Sequence, residues 1–579
     1  MSLIAVASGD PFDTSVILWT RAVPTSPDGT SSLPDQSVPA CLSYKVSTNE
    51  QPNGNPVTSG EAFTSYDVDW TVKVEATRLK PDTKYFFQFS DCANPSSVSP
   101  VGTTRTLASP NTPANKVNGG NPLTLAVFSC SQYQAGYFNA YGVAAHNTTA
   151  DVFIHLGDYI YESLGNGSLY FRVTAGSFSS RMLHSVLGSD VKHWEGNWRQ
   201  FMIIANALIN IVPMRALLSH TSTPLGSLFG EPSSAFLTPC GMSIRSSVEF
   251  GSYSIQIVAI DLNRTTTRSP TMHGRQAKHD GMAGTADSND TAVGCSFSPS
   301  GACFTDRKLA AVRAYHEWMP IRQVDAGDQL RIWRNFRVGQ LLDLTMLDTR
   351  QYDRDLTDVY YNTGKSVKHL LNVRAHHWIF RIIAAFPNRS LMGADQESWL
   401  YETLSESKQR GAVWRVLGQQ IVFTQLNESG SFDLDAWDGY RANRQRVLDH
   451  LYKNKISNTV ILAGDSHANW VSDLAHPNDS TTYDPVSGKG AIGVEFAGTA
   501  VTSSSFASGT QPDIADGLSR VLVETDTNLN LQWSEAFYRG FFTLTIDPKT
   551  LTATYYAMQN ISACLVFLFK ATALDAGLF

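Results

Sequence analysis

The sequence has no surplus of basic charge: 45 lysines and arginines face 52 aspartates and glutamates, for a formal net charge of -7. Lasting attachment to nucleic acid requires clustered Lys and Arg to neutralise phosphates, so no stable nucleic-acid partner is expected. Long apolar runs are also missing. The best candidate, Phe201 to Leu218, is interrupted by Asn206, Asn210, Pro213 and Arg215, and Cys564 to Phe569 is too short. A membrane-spanning helix needs about 20 predominantly apolar residues, so no transmembrane segment is expected. The opening MSLIAVASGDP lacks the basic start and long apolar centre of a signal peptide, and none is expected in this chain. Cysteine is sparse, with seven residues in neither zinc-ribbon nor small-disulfide-scaffold spacing. An oxidising compartment would permit Cys41 to pair with Cys92 and Cys295 with Cys303. The sequons at Asn147 to Thr149 and Asn427 to Ser429 are compatible with secretion. A nucleotide-binding loop is missing too: Gly364-Lys365-Ser366 has the right tail, but Val359 stands where the loop needs glycine.

What is present is ample burial capacity. A chain of 579 residues with 42% hydrophobic and 17% charged residues exceeds one ordinary core and predicts two regions. Residues 1–110 read as short strands with turn residues between them (SVILWTR, CLSYKVST, WTVKVEA), the pattern of an all-β sandwich of immunoglobulin or fibronectin type. Tyr85, in LKPDTKYFFQF, is placed like the corner tyrosine of such sandwiches. The Pro, Asn and Gly of Ser109 to Pro122 predict a linker. From 122 to 579 apolar strands alternate with helix-length amphipathic runs, which predicts an α/β domain. Expected strands are Leu123 to Phe128, Asp151 to Leu156, Arg337 to Leu347, Trp414 to Gln425 and Asn458 to Gly464; expected helices are Gln134 to Asn147 and Arg441 to Lys453.

Several of these strands break into polar residues of metal-ligand type. Cys130 follows the first, Asp158 and Tyr161 the second, and Asp465 and His467 the last. Strand ends of α/β sheets are where sites are built. Hydrolysis of a phosphoester needs a strong nucleophile and charge neutralisation, which metal ions supply. Cys130 and Tyr161 suit a ferric ion, Asp465 a harder ion such as calcium, and His467 an imidazole-accepting one. Arg350, in LDTRQYD, is a candidate to hold a phosphate or to pair with Asp348 or Asp353.

The stretches SGDP and ILWTR (Ser8 to Arg21), FSCSQY, HLGDYIYE, YHEWMPIR, RIWRNF, LDTRQYD and AGDSHANW resemble, in order and spacing, the alkaline phosphatase D (PhoD-like) metallophosphatases. The resemblance implies a four-layer metallophosphatase sandwich, mixed sheets flanked by helices, behind the β-sandwich. It implies Cys130, Asp158, Tyr161 and His467 as iron (Fe3+) ligands, and Asp158 with Asp465 on the calcium (Ca2+) side. Asp158, Arg350 and His467 carry the catalytic expectation. The implied reaction is hydrolysis of a small phosphoester by a metal-bound hydroxide or oxide, after export to an extracellular or cell-surface location. A purple-acid-phosphatase-like hydrolase is the alternative enzyme, but the Gly-Asn-His-Glu/Asp and Gly-His-x-His stretches are missing. A non-catalytic secreted protein binding through its sandwich is the alternative outside enzymology.

One motif of the resemblance is absent, a Trp-Asp-Asp-His-Glu stretch expected between the Asp158 loop and Tyr315, and residues 169–281 do not look like the family. Thr265 to Arg275, TTTRSPTMHGR, admits codons that read DDHEVADNAWQ from one base earlier. This predicts a retained intron or shifted exon before Thr265. Gly364 to Phe386 is a second atypical stretch, whose Gly-Lys-Ser admits a splice-donor-like GTAAGT. Impaired activity is the expectation for the chain as translated.

Overall fold

Alternation builds the N-terminal region. Strand β6 (Lys84–Asp91, KYFFQFSD) buries every second residue, placing Tyr85, Phe87 and Phe89 on one face. The computed structural model describes residues 2–23, 38–50, 54–68, 70–132, 135–159, 252–253, 256–258, 315–328, 330–350, 352, 354–355, 384–428, 430–562 and 569–576. Before β6 come β1 (Ser2–Gly9), β2 (Val16–Val23), β3 (Ala40–Ser47), β4 (Thr58–Thr64) and β5 (Thr71–Ala76), and β7 (Gly102–Arg105) comes after it. One sheet carries β7-β6-β3-β4, another β1-β2-β5, and Leu18, Val72, Leu42 and Phe87 close the core between them. The Tyr85 hydroxyl accepts from Lys80 N–H at 2.8 Å, the corner expected from sequence. A Cys41–Cys92 disulfide ties β3 to the turn after β6. The other expected pair, Cys295–Cys303, lies outside the described residues.

The expected linker is fastened to the α/β region. Val117 is buried in the main core, Thr112 O accepts from Gln340 N–H at 2.8 Å, and Arg410 donates to Pro110 O at 2.6 Å.

The remaining strands are β8 (Leu123–Phe128), β9 (Val152–His155), β10 (Ser252–Tyr253), β11 (Gln256–Val258), β12 (Arg334–Val338), β13 (Leu342–Met346), β14 (Trp414–Gly418), β15 (Thr459–Ala463), β16 (Asn469–Leu474), β17 (Gly493–Ala497), β18 (Leu531–Glu535), β19 (Arg539–Ile546), β20 (Leu551–Met558) and β21 (Phe569–Ala576). The helices among them are α1 (Asn139–Asn147), α2 (Gly393–Gln409), α3 (Arg441–Lys453) and α4 (Pro512–Glu524). A nine-stranded sheet runs β21-β20-β19-β8-β9-β11-β1-β2-β5, and a seven-stranded one runs β12-β13-β14-β15-β17-β16-β18. Val127, Ile154 and Leu544 of the first meet Met346, Val416, Leu462 and Phe496 of the second. Helix α1 packs on the first sheet through Tyr141 and Val143, while α2 and α3 cover the second through Leu400, Leu404, Val447 and Leu451. None of the described helices is long and apolar enough to cross a membrane.

Three expected boundaries change. The single strand expected over Arg337 to Leu347 is a hairpin, β12 and β13 paired antiparallel. It turns at Gly339, which has φ +54 and whose Cβ would come within 2.4 Å of Val117 Cγ2, so only glycine fits. The strand begun at Trp414 ends at Gly418 rather than Gln425, because Gln419 Oε1 takes the N–H of Ile421 at 3.2 Å and turns the chain off the sheet. Helix α1 begins at Asn139, later than Gln134.

Candidate metal centre

Strands β8 and β9 are parallel neighbours, so both chains leave the sheet at the same edge. The backbone stays paired beyond the strands: Cys130 N–H donates to Gly157 O at 3.0 Å and Ser131 N–H to Asp158 O at 2.9 Å. Two loops of the facing sheet join them. After β15, Gly464 lets the chain pass Ser129 so closely that a Cβ would stand 2.6 Å from the serine Cβ. After β17, Val501 N–H donates to Ser129 O at 2.9 Å, Ser503 Oγ to Cys130 O at 3.0 Å and Thr499 Oγ1 to His467 O at 2.9 Å.

On these loops Cys130, Asp158, Asp465 and His467 all have positive φ, at 60°, 50°, 68° and 59°. Non-glycine residues rarely adopt this region, and it costs on the order of 1–3 kcal/mol each, so the surrounding bonds must hold them there. The result is convergence. Cys130 Sγ donates to Asp158 Oδ2 at 3.7 Å, and ligand atoms of Cys130, Asp158 and His467 lie within 4.8 Å of one another. Cys130 and Asp158 are buried, and His467 is partly exposed. His467 Nδ1 lies 2.5 Å from Ser504 O. A carbonyl only accepts, so Nδ1 carries the proton and Nε2 is the nitrogen whose lone pair could take a metal ion. Thiolate, carboxylate and imidazole together fit a transition-metal ion better than magnesium or calcium.

Arg350 is 1% exposed. Its backbone N–H donates to Asp348 Oδ1 at 3.1 Å, but its guanidinium reaches elsewhere, to Asp435 Oδ2 at 2.8 Å and to Asp465 Oδ1. The expected partner Asp348 accepts the Arg350 backbone N–H, and Asp353 lies outside the described residues. Asp435 also binds Arg354 at 2.6 Å. Two glutamines fix the loop: Gln420 Oε1 accepts from Thr349 N–H and Gln396 Oε1 from Asp348 N–H, each at 2.8 Å. Asp465 therefore stands against Arg350, beside rather than within the three-residue cluster. Tyr161 lies outside the described residues, as do 259–314, the interval from 169 to 251, and 356–383.

Sequence reasoning missed two supports. Asp435 sits in an irregular stretch 85 residues from Arg350, with no strand end to mark it. The other is His155, visible in HLGDYIYE but read only as strand. Gly157 N–H donates to its Nδ1 at 3.4 Å, and its Nε2 lies 3.0 Å from Ser131 Oγ, which also bonds the Tyr141 hydroxyl. Burial lowers the His155 pKa to about 3, so the ring is neutral near pH 7. With Nδ1 accepting, Nε2–H donates to Ser131, next to Cys130.

The sequence matches the PhoD-like phosphatase family over residues 125–195 and 285–555, and the PhoD-like phosphatase N-terminal domain over residues 3–108. The span from 196 to 284, left out of both, includes most of the stretch that looks foreign in the sequence. The chain is 28% identical over 567 residues to a Bacillus subtilis (strain 168) protein named alkaline phosphatase D, covering 96% of this chain and 78% of that one. A structure of PhoD superposes with a TM-score of 0.64 at 25% identity, covering 99% of this chain and 88% of the other. A purple acid phosphatase from yellow lupin (Lupinus luteus) gives 0.49 at 10% identity, over 98% and 73%. With both regions matched, and the catalytic one over more than half of the sequence, the chain belongs to the PhoD-like phosphatase family.

Proposed function

We propose that this phosphoester hydrolase works at the edge where β8, β9, β15 and β17 end, with Cys130, Asp158 and His467 holding iron. The convergence of these three side chains within 4.8 Å carries the reading. Tyr161, three residues past Asp158, completes the iron set, and Asp158 with Asp465 serves a neighbouring calcium. When bound, the metals neutralise charge on the phosphoryl group and activate the attacking water. The chain's own residues then have distinct tasks. Ser504 O orients His467. Asp435 keeps the Arg350 guanidinium in place, so that its other nitrogen can leave Asp465 for a phosphoryl oxygen, a charge-assisted bond of the kind arginine makes well. Helices on the outer faces of two apposed sheets support the four-layer arrangement, and the Cys41–Cys92 bond supports folding in an oxidising, extracellular setting.

Activity of the chain as translated is expected to be weak, because the Asp-Asp-His-Glu stretch is absent from it, while Thr265 to Arg275 admits codons that would supply the stretch one base out of frame. Metal analysis of the purified chain should find iron in excess of calcium, with slow release from a chromogenic phosphoester. A chain with the alternative frame restored across Thr265 to Arg275 should gain calcium and turnover. Fast hydrolysis by the unrestored chain, abolished by Cys130→Ala, would show the stretch to be dispensable. The absence of bound iron would overturn the metal assignment.

A further inference from the structure

Two arginines are buried to the same degree and bonded in the same way, yet they stand at opposite edges of the α/β body. Arg415 and Arg539 are each 5% exposed. Burial lowers the pKa of each to about 10, which leaves both charged near pH 7. Among the described residues neither guanidinium bonds a carboxylate; each gives its donors to backbone carbonyls. Arg415 donates to Ala412 O, Val413 O and Ser457 O at 2.9, 3.0 and 2.9 Å, on the segments that lead into β14 and β15. Arg539 donates to Ser503 O, Ala536 O and Phe537 O at 2.5, 2.9 and 3.2 Å, at the edge where the metal ligands converge. We propose that Arg539 is a positioning residue of the metal centre, fixing through Ser503 the backbone that places Cys130 and His467. The proposal rests on the assignment of iron to that cluster.

Topology puts Arg539 there. The turn from Glu535 to Arg539 carries the chain from β18 of the seven-stranded sheet to β19 of the nine-stranded one. On the way it is sewn to the loop after β17: Gly540 N–H donates to Ala500 O at 2.9 Å and Ser505 Oγ to Ala536 O at 2.5 Å. Glu535, whose charge acts on Arg539, accepts from Phe537 N–H, Tyr538 N–H and Asn469 Nδ2 at 2.6, 2.9 and 2.9 Å. The guanidinium is left to the carbonyls, and its planar fork holds all three in one arrangement. From Ser503 the ligands are one bond away on each side. Ser503 Oγ donates to Cys130 O at 3.0 Å, and the next carbonyl, Ser504 O, takes the proton of His467 Nδ1. Cys130 is also near enough for its charge to act on Arg539. Cys130 and His467, with φ of 60° and 59°, keep that backbone only under restraint from their surroundings. Arg415 has no such route, because none of its acceptors adjoins a metal ligand.

The test titrates the metal-free full chain with ferric citrate, following affinity and the thiolate-to-iron charge-transfer absorption. Arg539→Met should weaken iron binding by about ten- to a hundredfold, the usual cost of losing an outer support of a metal ligand, and should shift the absorption band. Arg539→Lys, which keeps the cation and a donor for Ser503 O, should recover most of that loss. Arg415→Met is the control: its melting temperature should fall while affinity and band stay those of wild type. Wild-type affinity and band in Arg539→Met would overturn the proposal, as would an equal loss of iron in Arg415→Met, since the effect would then be one of general stability. Ser503→Ala removes only the hydroxyl bond to Cys130 O, so it decides the matter if Arg539→Met misfolds; weakened binding there supports the proposal and unchanged binding overturns it. A wild-type chain that takes up no iron would sink the iron assignment and this proposal together.

Discussion

Asp10 and Asp158 are local twins. Each follows a glycine at the end of a strand, each is 2% exposed, and each has φ of 50°. Their surroundings differ completely. Asp10 receives Arg322 N–H at 2.6 Å and the Arg334 guanidinium, which clamps the sandwich to the α/β body. Asp158 receives the Cys130 thiol and shares a cluster with His467. Asp465 repeats the Gly-Asp step a third time, with φ of 68°, and meets Arg350. A strand-end Gly-Asp thus supplies a buried carboxylate aimed off the sheet, and the groups brought by other loops decide whether it staples or binds.

The sharpest way to break this contrast is to remove the soft ligand. Cys130→Ala should abolish iron binding and whatever hydrolysis the chain supports, while the melting temperature measured without metal stays near that of wild type; a large drop would make Cys130 a packing residue. Asp10→Ala should do the opposite. It takes the carboxylate from the partly buried Arg334 guanidinium, leaves Arg322 paired with Glu75, and should cost about 3 kcal/mol in denaturant unfolding, leaving iron stoichiometry intact. A third probe exploits His155, which supports only the cluster side. Its folded pKa of about 3 lies below the ordinary 6.5, so between these values the unfolded chain binds the extra proton and stability falls as pH drops. The loss should approach about 1.4 kcal/mol per pH unit, and His155→Asn should flatten the profile. The smallest effect belongs to Tyr85→Phe, far from both. Losing the bond from Lys80 N–H should cost about 1 kcal/mol with no change in metal content.

Sequence showed more of the cluster than of the clamp, for a physical reason. Apolar runs ending in Ser-Cys-Ser, Gly-Asp and Gly-Asp-Ser-His are local patterns, and parallel pairing of β8 with β9 accords with the α/β alternation. Cys130, Asp158 and His467 can therefore be grouped from sequence alone. The partners of Asp10, Arg322 and Arg334, lie 312 and 324 residues away, and no periodicity encodes such a meeting. The same distance effect hides Asp435 from Arg350. Positive φ at the ligands is equally illegible, since nothing in Cys or His favours it and only the cross-loop hydrogen bonds impose it. The hairpin at Gly339 is within reach: a glycine inside an apolar run is a turn signal, masked here by the apolar residues on both sides.

The pairing of β1 with β11, Gly9 against Gln256, makes the N-terminal strands the continuation of the catalytic sheet rather than an appended bead. Cutting the chain after the sandwich would bare the flank of β11 and leave its amides open to any passing strand. A truncated catalytic fragment should therefore self-associate in solution, and the N-terminal region serves in part as the sheet's own edge protection.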